Sequence, residues 1–223
     1  MKITKLGREE LVSAVSSRII PSRVVLDIGC GIRPQTFFRP EMHICCEPYE
    51  EYLDVLTTQI MDGTQPRLVL LKATWGQVVD LFPRQSVDTI FLLDVIEHLE
   101  KEEGKRLLKA TEPIATGQII VFTPLGLMAQ HNHDGKDAWG LGGGSWQEHR
   151  SGWHPEDFGE DWEFFMSEAF YETDTWGDKL EKSHGAFYAI RQTKAMREIP
   201  LARKPKMQEI VQKTKDLVRT VLH

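Results

Sequence analysis

Short apolar runs alternate with amphipathic stretches through the first 123 residues of the chain. Each run is rich in β-branched residues and is bounded by turn-forming residues, which is typical of a buried strand. The runs predict five strands, at residues 23–28, 43–47, 67–71, 87–93 and 118–123. Two further strands are predicted later in the chain, at residues 163–169 and 186–192.

Helical periodicity occupies the intervals between these runs. Apolar positions from Leu11 to Ile20 predict an amphipathic helix over residues 4–20, closed by Pro21. Further helices are predicted at residues 50–61, 76–81, 97–111 and 206–222, and another is expected to begin at Pro155. Strands that alternate with helices indicate an α/β fold, with a parallel sheet covered by helices on both faces.

The alternation stops after Pro124. Residues 125–151 are rich in Gly, His, Asn and Trp and follow no sustained period. An irregular stretch of this length within a compact domain is usually functional or disordered. We therefore expect one domain over residues 1–193, with a binding loop at about residues 124–158. A basic linker and C-terminal helix follow over residues 194–223.

The composition excludes several classes of protein. Of the 223 residues, 41% are hydrophobic and 27% are charged, and no apolar run approaches the roughly 20 residues of a membrane span. The three cysteines, Cys30, Cys45 and Cys46, lack CxxC spacing, which argues against a disulfide framework and a thiolate zinc site. We expect the protein to work in the reducing cytoplasm.

Charge is distributed unevenly along the chain, whose net charge is −6. Residues 191–223 contain nine Lys/Arg and three Asp/Glu, so the first 190 residues carry 18 basic and 30 acidic side chains. An acidic body repels phosphate backbones, and nucleic acid is not expected as a partner. The basic end is either a solvated helix face or a docking surface for a protein partner.

The first predicted strand ends in a glycine turn. Residues 24–31 read VVLDIGCG, and glycines at the carboxyl end of a parallel strand let the backbone approach a ligand closely. This motif resembles the first motif of class I S-adenosylmethionine (SAM)-dependent methyltransferases. The resemblance implies a Rossmann-like, doubly wound, mostly parallel seven-stranded sheet whose last strand is antiparallel. It also assigns Asp27, Gly29, Cys30 and Gly31 to the SAM site, with Asp27 helping to hold the positive charge of the cofactor.

The same turn departs from two related patterns. A dinucleotide-binding fingerprint has a third glycine and opens directly onto a helix, whereas Pro34 interrupts a helix start here. The commoner methyltransferase motif has another glycine where this chain has Arg33. The pattern therefore favours SAM over a dinucleotide, with a variant loop after Gly31.

The second and third predicted strands supply candidates for binding adenosine. Glu47 ends the second strand, where a carboxylate can accept hydrogen bonds from both ribose hydroxyls; the alternative is a solvent-exposed acid at a strand end. The resemblance implies that Pro48 lies along the adenosine and that Trp75 flanks the adenine. The ring of Trp75 either stacks on the base or belongs to the core.

The fourth predicted strand carries a second motif. Residues 87–100, VDTIFLLDVIEHLE, resemble the fourth-strand motif of the methyltransferase subgroup that has a Glu-His-Leu triplet. The resemblance implies that Asp94 and Val95 line the methionine part of SAM. Glu97 is explained by the favourable position of an acid at a helix N-terminus. His98 is either a catalytic residue or a structural histidine.

The irregular segment is expected to bind the methyl acceptor. Residues 149–158, HRSGWHPEDF, are similar to methyltransferases of bacterial cell-surface glycan synthesis, which implies a role in polysaccharide biosynthesis. Aromatic rings beside polar side chains suit a sugar. His149 is the candidate general base, because an unperturbed histidine titrates near neutrality; the alternative is that it pins the loop.

A metal-assisted reaction is an alternative for this segment. His131, His133, Asp134, Glu148 and His149 offer suitable ligand atoms, but their spacing matches no strict signature, and no metal is predicted.

The sequence thus predicts O-methylation of a sugar or glycan-precursor hydroxyl by in-line displacement. Two alternatives stay open. In the first, the methyl acceptor is a lipid, quinone or carboxylate, for which a more aliphatic loop is expected. In the second, the chain is a non-catalytic cofactor-binding scaffold that docks through its basic C-terminal helix.

Overall fold

The computed structural model describes residues 1–64, 67–130, 135–174 and 176–193. The strands are β1 (Lys2–Lys5), β2 (Val24–Ile28), β3 (Met42–Glu47), β4 (Leu68–Lys72), β5 (Val87–Leu93), β6 (Ala115–Pro124), β7 (Trp162–Thr173) and β8 (Lys179–Gln192). The α-helices are α1 (Arg8–Arg18), α2 (Glu50–Met61), α3 (Trp75–Leu81) and α4 (Lys101–Thr111). Two short 3₁₀ turns cover Ile96–His98 and Pro155–Asp157.

The strands form one eight-stranded sheet in the order β1-β7-β8-β6-β5-β2-β3-β4. All neighbouring pairs are parallel except those made by β8, which runs antiparallel to both β6 and β7. The mostly parallel sheet with an antiparallel last strand is thus confirmed. The predicted count of seven strands is wrong, because Lys2–Lys5 adds an edge strand beside β7.

Apolar residues on both faces of the sheet explain why helices cover both sides. In β2, Leu26 and Ile28 pack into one cluster with residues of α3 and α4, whereas Val25 packs into another cluster with residues of α1. Successive side chains of a strand point to opposite faces, so a continuous apolar strand requires cover on each. The doubly wound arrangement follows from this pattern.

Three predicted helices differ from the structure. The predicted helix over residues 4–20 is shorter, because its first residues pair with β7 before α1 begins at Arg8. The predicted helix over residues 97–111 is divided into the 3₁₀ turn at Ile96–His98 and α4. The start at Pro155 gives only a single 3₁₀ turn before the chain enters β7.

The strand order places the crevice for a ligand beside β2. The chain runs from β2 outward through β3 and β4 on one side, and β5 and β6 lie on the other side of β2. In open α/β sheets, ligands bind outside the carboxyl ends of the strands at such a reversal of strand order. The residues that follow β2, β3 and β5 are therefore the candidates for a ligand site.

Trp153 fixes the irregular segment against the body of the protein. Its side chain is fully buried, and its indole Nε1–H lies within hydrogen-bonding distance of the Ile96 carbonyl (3.1 Å) and Ser151 Oγ (2.9 Å). The ring packs so closely on α4 that a Cβ added at Gly104 would lie 2.4 Å from Trp153 Cζ2. Trp153 is thus a core residue, and its ring is inaccessible to a ligand.

Two parts of the sequence-based prediction concern residues outside this description. The basic linker and C-terminal helix over residues 194–223 lie beyond the described residues, as do the loop residues 131–134. In the described part of the chain, every helix is too short or too polar to cross a membrane.

The close contact between α4 and Trp153 predicts the effect of a single added methyl group. Gly104→Ala should lower the free energy of unfolding by roughly 1–3 kcal/mol, because the buried indole or the helix must shift. Gly76→Ala is the matched control, since its Cβ would meet only Thr74 Oγ1 at 4.0 Å within α3. Urea unfolding of both variants measures this, and a Gly104→Ala protein as stable as the wild type would contradict the packing.

Candidate active site

The turn after β2 brings the backbone close to two other elements. Gly29 and Gly31 both adopt left-handed conformations, with φ of +67° and +52°. A Cβ at Gly29 would lie 2.9 Å from Val95 Cγ2, and one at Gly31 would lie 2.9 Å from Trp139 Cη2. Glycine is required at both positions for conformation and for space. The predicted glycine turn is therefore present, and Gly29 packs against Val95.

Glu47, at the end of β3, is fastened to this turn. It is only 4% exposed, and its two carboxylate oxygens accept one hydrogen bond each, from Gly31 N (3.0 Å) and Tyr49 N (2.9 Å). Burial raises the pKa of Glu47, while the two backbone N–H groups lower it. Each carboxylate oxygen can accept a further hydrogen bond, so the side chain holds the turn and still offers acceptors to a ligand.

Two cavities open along the carboxyl ends of the strands. The β3-side cavity is lined by residues after β2, β3, β4 and β5, among them Gly29, Glu47, Pro48, Trp75, Asp94 and Val95. The β8-side cavity has a volume of about 420 Å³ and lies toward β6, β7 and β8. The residues that line both cavities are Gly29, Asp94, His98 and Gln147. The two cavities therefore meet beside Asp94.

All the cofactor-binding residues predicted from the sequence, except Asp27, line at least one of these cavities. Six of them line the β3-side cavity, and Cys30 and Gly31 line the β8-side cavity. Trp75 is held by a hydrogen bond from its Nε1–H to Glu103 Oε1 (2.9 Å). Asp27 lines neither cavity.

Asp27 instead forms a buried pair with His43. Its Oδ2 accepts a hydrogen bond from Gln35 N (2.8 Å) and lies 3.2 Å from His43 Nε2, and both side chains are almost completely buried. Burial lowers the pKa of His43, but its hydrogen bonds to Asp27 and Cys45 outweigh this effect and raise the pKa to about 9. The structure thus gives Asp27 a supporting position beneath the turn.

Asp94 occupies a strained position between the cavities. Its φ of +54° is unusual for a residue other than glycine, and its N–H donates to the Phe122 carbonyl (3.0 Å). Its side chain is accessible from the cavities, but the surrounding protein displaces enough water to raise the pKa of Asp94 to about 6. A hydrogen bond with Glu97 partly offsets this increase. Strain held at a cavity wall is common at functional sites.

Glu97 does not lie at the N-terminus of an α-helix, as the sequence predicted, because α4 begins only at Lys101. It is 1% exposed in the 3₁₀ turn, and its Oε2 accepts a hydrogen bond from Thr123 Oγ1 (3.1 Å). Its Oε1 is buried and accepts no hydrogen bond within the described residues. Burial and the nearby Asp94 carboxylate raise the pKa of Glu97 well above its usual range. The two acids thus form a coupled pair.

The 3₁₀ turn over residues 96–98 also anchors the irregular segment. The Glu97 carbonyl accepts hydrogen bonds from Arg150 N (2.7 Å) and Ser151 N (3.1 Å). Ser151 Oγ donates toward the carbonyls of Leu99 (2.8 Å) and Ile96 (3.2 Å). These bonds bring the ring of His149 beside that of His98, with 4.9 Å between their centroids.

Both histidines are neutral and similarly oriented. Nδ1 of His149 lies 2.6 Å from the Met128 carbonyl, and Nδ1 of His98 lies 3.2 Å from the Glu148 carbonyl. Because a carbonyl only accepts, each Nδ1 carries the proton and Nε2 keeps the lone pair. Burial lowers the pKa of both groups, to about 3 for His98, where the neighbouring His149 lowers it further. Both rings line the β8-side cavity.

Much of the β8-side cavity comes from residues that the sequence did not single out. Its aromatic walls include Phe170, Tyr171, Trp176 and Tyr188, from the β7–β8 hairpin and the turn that joins its strands, together with Phe122 and Trp139. Polar neighbours include Arg33, Gln130, Gln147, Thr173 and Asp174. The run FYETDTW at residues 170–176, with its clustered aromatic residues, was the available signal.

Comparisons with known proteins identify the fold. No protein-family model and no curated protein matches the sequence. Magnesium protoporphyrin IX methyltransferase (ChlM) from Synechocystis PCC 6803 with bound SAM is similar in structure, with a TM-score of 0.50 and 14% identity over 82% of this chain and 77% of ChlM. The same enzyme with bound S-adenosylhomocysteine (SAH) gives a TM-score of 0.51 and 15% identity over 82% of this chain and 83% of ChlM.

TehB from Haemophilus influenzae gives a TM-score of 0.54 and 15% identity over 81% of this chain and 61% of TehB. The chain therefore has the Rossmann-like fold of class I SAM-dependent methyltransferases. The bound SAM and SAH in ChlM agree with the cofactor predicted from the sequence.

The buried Asp27–His43 pair predicts a pH dependence of stability. A His43 pKa raised from 6.5 to about 9 stabilises the folded protein fully below pH 6.5, and this stabilisation is lost as the pH rises through 9. The difference in unfolding free energy between wild type and His43→Asn should therefore shrink by roughly 3 kcal/mol between pH 6 and pH 9.5. Urea unfolding across this range measures it, with the exposed His154→Asn as control. A difference independent of pH would contradict the charged pair.

Proposed function

We propose that this protein is a SAM-dependent methyltransferase that transfers a methyl group to a hydroxyl of a sugar or glycan precursor. The observation that carries the proposal is the meeting of the two cavities at Asp94 and His98. Methyl transfer requires a donor and an acceptor to be held in line at one point, and adjoining cavities supply this arrangement.

The residues that line the β3-side cavity suit the chemical groups of the cofactor. Glu47 presents carboxylate oxygens suited to the two ribose hydroxyls, and Pro48 and Trp75 provide apolar surface for the adenine. Gly29 lets the turn after β2 pack directly against Val95, because a Cβ there would collide with that side chain. Asp94, at the boundary between the cavities, adds a negative charge beside the positively charged methionine part. These features would hold SAM with its reactive end toward the β8-side cavity.

The β8-side cavity suits a hydroxylated acceptor. Aromatic rings such as Tyr171 and Trp176 offer faces for the apolar side of a sugar ring, and Gln130, Gln147 and Asp174 offer hydrogen-bonding groups. The pattern HRSGWHPEDF at residues 149–158 supports the glycan class by its similarity to methyltransferases of surface-glycan synthesis. The acidic body of the protein disfavours nucleic acid as the acceptor.

The reaction sets three tasks for the chain. Bound SAM supplies a methyl group on a positively charged sulfur. The acceptor oxygen bonds to the methyl carbon as the carbon–sulfur bond breaks, the electron pair passes to sulfur, and the hydroxyl proton leaves. The walls of the two cavities align the reactants and exclude water. His98 and His149 present neutral imidazoles near the meeting point, where the acceptor hydroxyl must be activated.

Binding of SAH tests the cofactor half of the proposal. Calorimetric titration should give saturable one-to-one binding to the wild type. Glu47→Gln should weaken binding by at least about tenfold, because it removes a charged acceptor from the β3-side cavity. Glu50→Gln is the matched control, as this exposed acid at the start of α2 pairs with Lys72.

Thermal unfolding without ligand establishes that the Glu47→Gln protein is folded. Absence of SAH binding to the wild type, or equal affinities for wild type and Glu47→Gln, would overturn the cofactor assignment.

Stacking in the β8-side cavity predicts a separate effect on the acceptor. A panel of nucleotide-sugars and glycans incubated with methyl-labelled SAM identifies the substrate. For that substrate, Trp176→Ala should raise KM by roughly three- to tenfold through loss of ring stacking, and should leave SAH affinity unchanged. Trp75→Ala should do the reverse, weakening SAH with little change in acceptor KM. The same effect of both variants on both ligands would contradict the division into two cavities.

A further inference from the structure

The strongest unassigned feature of the molecule is a cluster of three potential metal ligands where the cavities meet. Glu97, His98 and His149 each offer a ligand atom, and these atoms all lie within 4.8 Å of one another. Glu97 and His98 come from the turn after β5, and His149 comes from the docked segment fifty residues later. The fold therefore assembles this set from two distant parts of the sequence.

The two imidazoles share one hydrogen-bonding feature with metal-ligating histidines. A ligating histidine usually donates its other ring N–H to a carbonyl or carboxylate, which fixes the tautomer and directs the free nitrogen to the metal. Here both Nδ1 atoms are committed to backbone carbonyls, Met128 for His149 and Glu148 for His98. This leaves Nε2 of each ring as the atom with the lone pair.

The carboxylate of the set has an unused oxygen. Glu97 is almost fully buried, and its Oε1 accepts no hydrogen bond among the described residues, while Oε2 is held by Thr123. A buried polar atom without a partner is costly, and a bound cation would satisfy it. Asp94 brings a second carboxyl group close to that of Glu97.

A second cluster of ligand types in the chain lacks these features. Asp27, His43 and Cys45 also lie within reach of one another. There, however, Asp27 Oδ2 and His43 Nε2 are already hydrogen-bonded to each other, and the group is sealed from both cavities. The Asp27–His43 cluster is therefore explained as a structural pair. The Glu97 cluster, in contrast, still offers ligand atoms beside a cavity.

We propose that Glu97, His98 and His149 bind a divalent transition-metal cation that orients and acidifies the acceptor hydroxyl. Two imidazoles and one carboxylate suit Mn²⁺, Fe²⁺ or Zn²⁺ better than Mg²⁺, and three protein ligands leave positions free for acceptor oxygens. The proposal rests on the proposed methyltransferase function. It gives His149 the role of a ligand in place of the general base.

Binding of the acceptor hydroxyl to the metal explains how this hydroxyl loses its proton. A hydroxyl bound to the cation has a lowered pKa, so its proton passes to bulk solvent as the acceptor binds, before the methyl group is transferred. The oxygen then bonds to the methyl carbon, the carbon–sulfur bond breaks, and its electron pair goes to sulfur. The cation is neither oxidised nor reduced.

Binding of Mn²⁺ and Zn²⁺ to the full chain after treatment with chelator tests the proposal directly. Calorimetry, and electron paramagnetic resonance for Mn²⁺, should show one saturable site per wild-type chain, with much weaker binding of Mg²⁺. His149→Ala, His98→Ala and Glu97→Gln should each weaken the site by at least about tenfold. His154→Ala, an exposed histidine five residues from His149, should not.

SAH titration separates this proposal from the function on which it rests. His149 lies outside the β3-side cavity, so the His149→Ala protein should bind SAH as the wild type does and thereby prove folded. Intact SAH binding without a one-to-one metal site, or with equal metal affinities for wild type and His149→Ala, would overturn the metal proposal alone. Loss of SAH binding in the wild type would overturn the proposed function.

Discussion

The candidate active site depends on the docking of residues 148–153 onto the turn that follows β5. The carbonyls of Ile96, Glu97 and Leu99 receive hydrogen bonds from Arg150, Ser151 and Trp153, and the Glu148 carbonyl lies within bonding distance of His98. Backbone groups at the end of a short helix need partners when buried, and the docked segment supplies them. Without this docking the β8-side cavity loses His149, and the two histidines separate.

The docking is stabilised by packing as well as by hydrogen bonds. Trp153 lies in the core against Gly104, and Lys101 Nζ lies 4.0 Å from the centre of its ring. Lys101 also donates to the Gly152 carbonyl (2.6 Å). The first half of the chain thus forms most of the β3-side cavity, to which Trp146 and Gln147 of the irregular segment also contribute. The second half completes the β8-side cavity on a surface that the first half provides.

The sheet was predictable from sequence because its strands are apolar on both faces and stand out as short runs. The edge strand β1 was not predictable, because Lys2–Lys5 has only one apolar residue. It is a strand because its backbone pairs with the distant strand β7. The β3-side cavity was predictable as well, since Glu47 ends a strand that the sequence could locate, and Gly29 and Asp94 each follow one. Asp27 shows the limit, because its partner His43 comes from the neighbouring strand and redirects the carboxylate away from the cavities.

The proximity of Glu97 to His149 could not be predicted from the sequence for a similar reason. The pattern predicted a helix beginning near Glu97, whereas the structure places this acid in a 3₁₀ turn that buries it next to Thr123. The aromatic wall of the β8-side cavity depends on the long β7–β8 hairpin, whose strands extend several residues beyond the predicted limits. Long-range pairing of this kind leaves only weak periodicity in the sequence.

A crystal structure of the full chain with SAH tests the central claim most directly. The account predicts that the adenosine lies between Glu47 and Trp75, and that the sulfur points past Asp94 into the β8-side cavity, near His98. SAH bound elsewhere, or with its sulfur turned away from the junction of the two cavities, would contradict it.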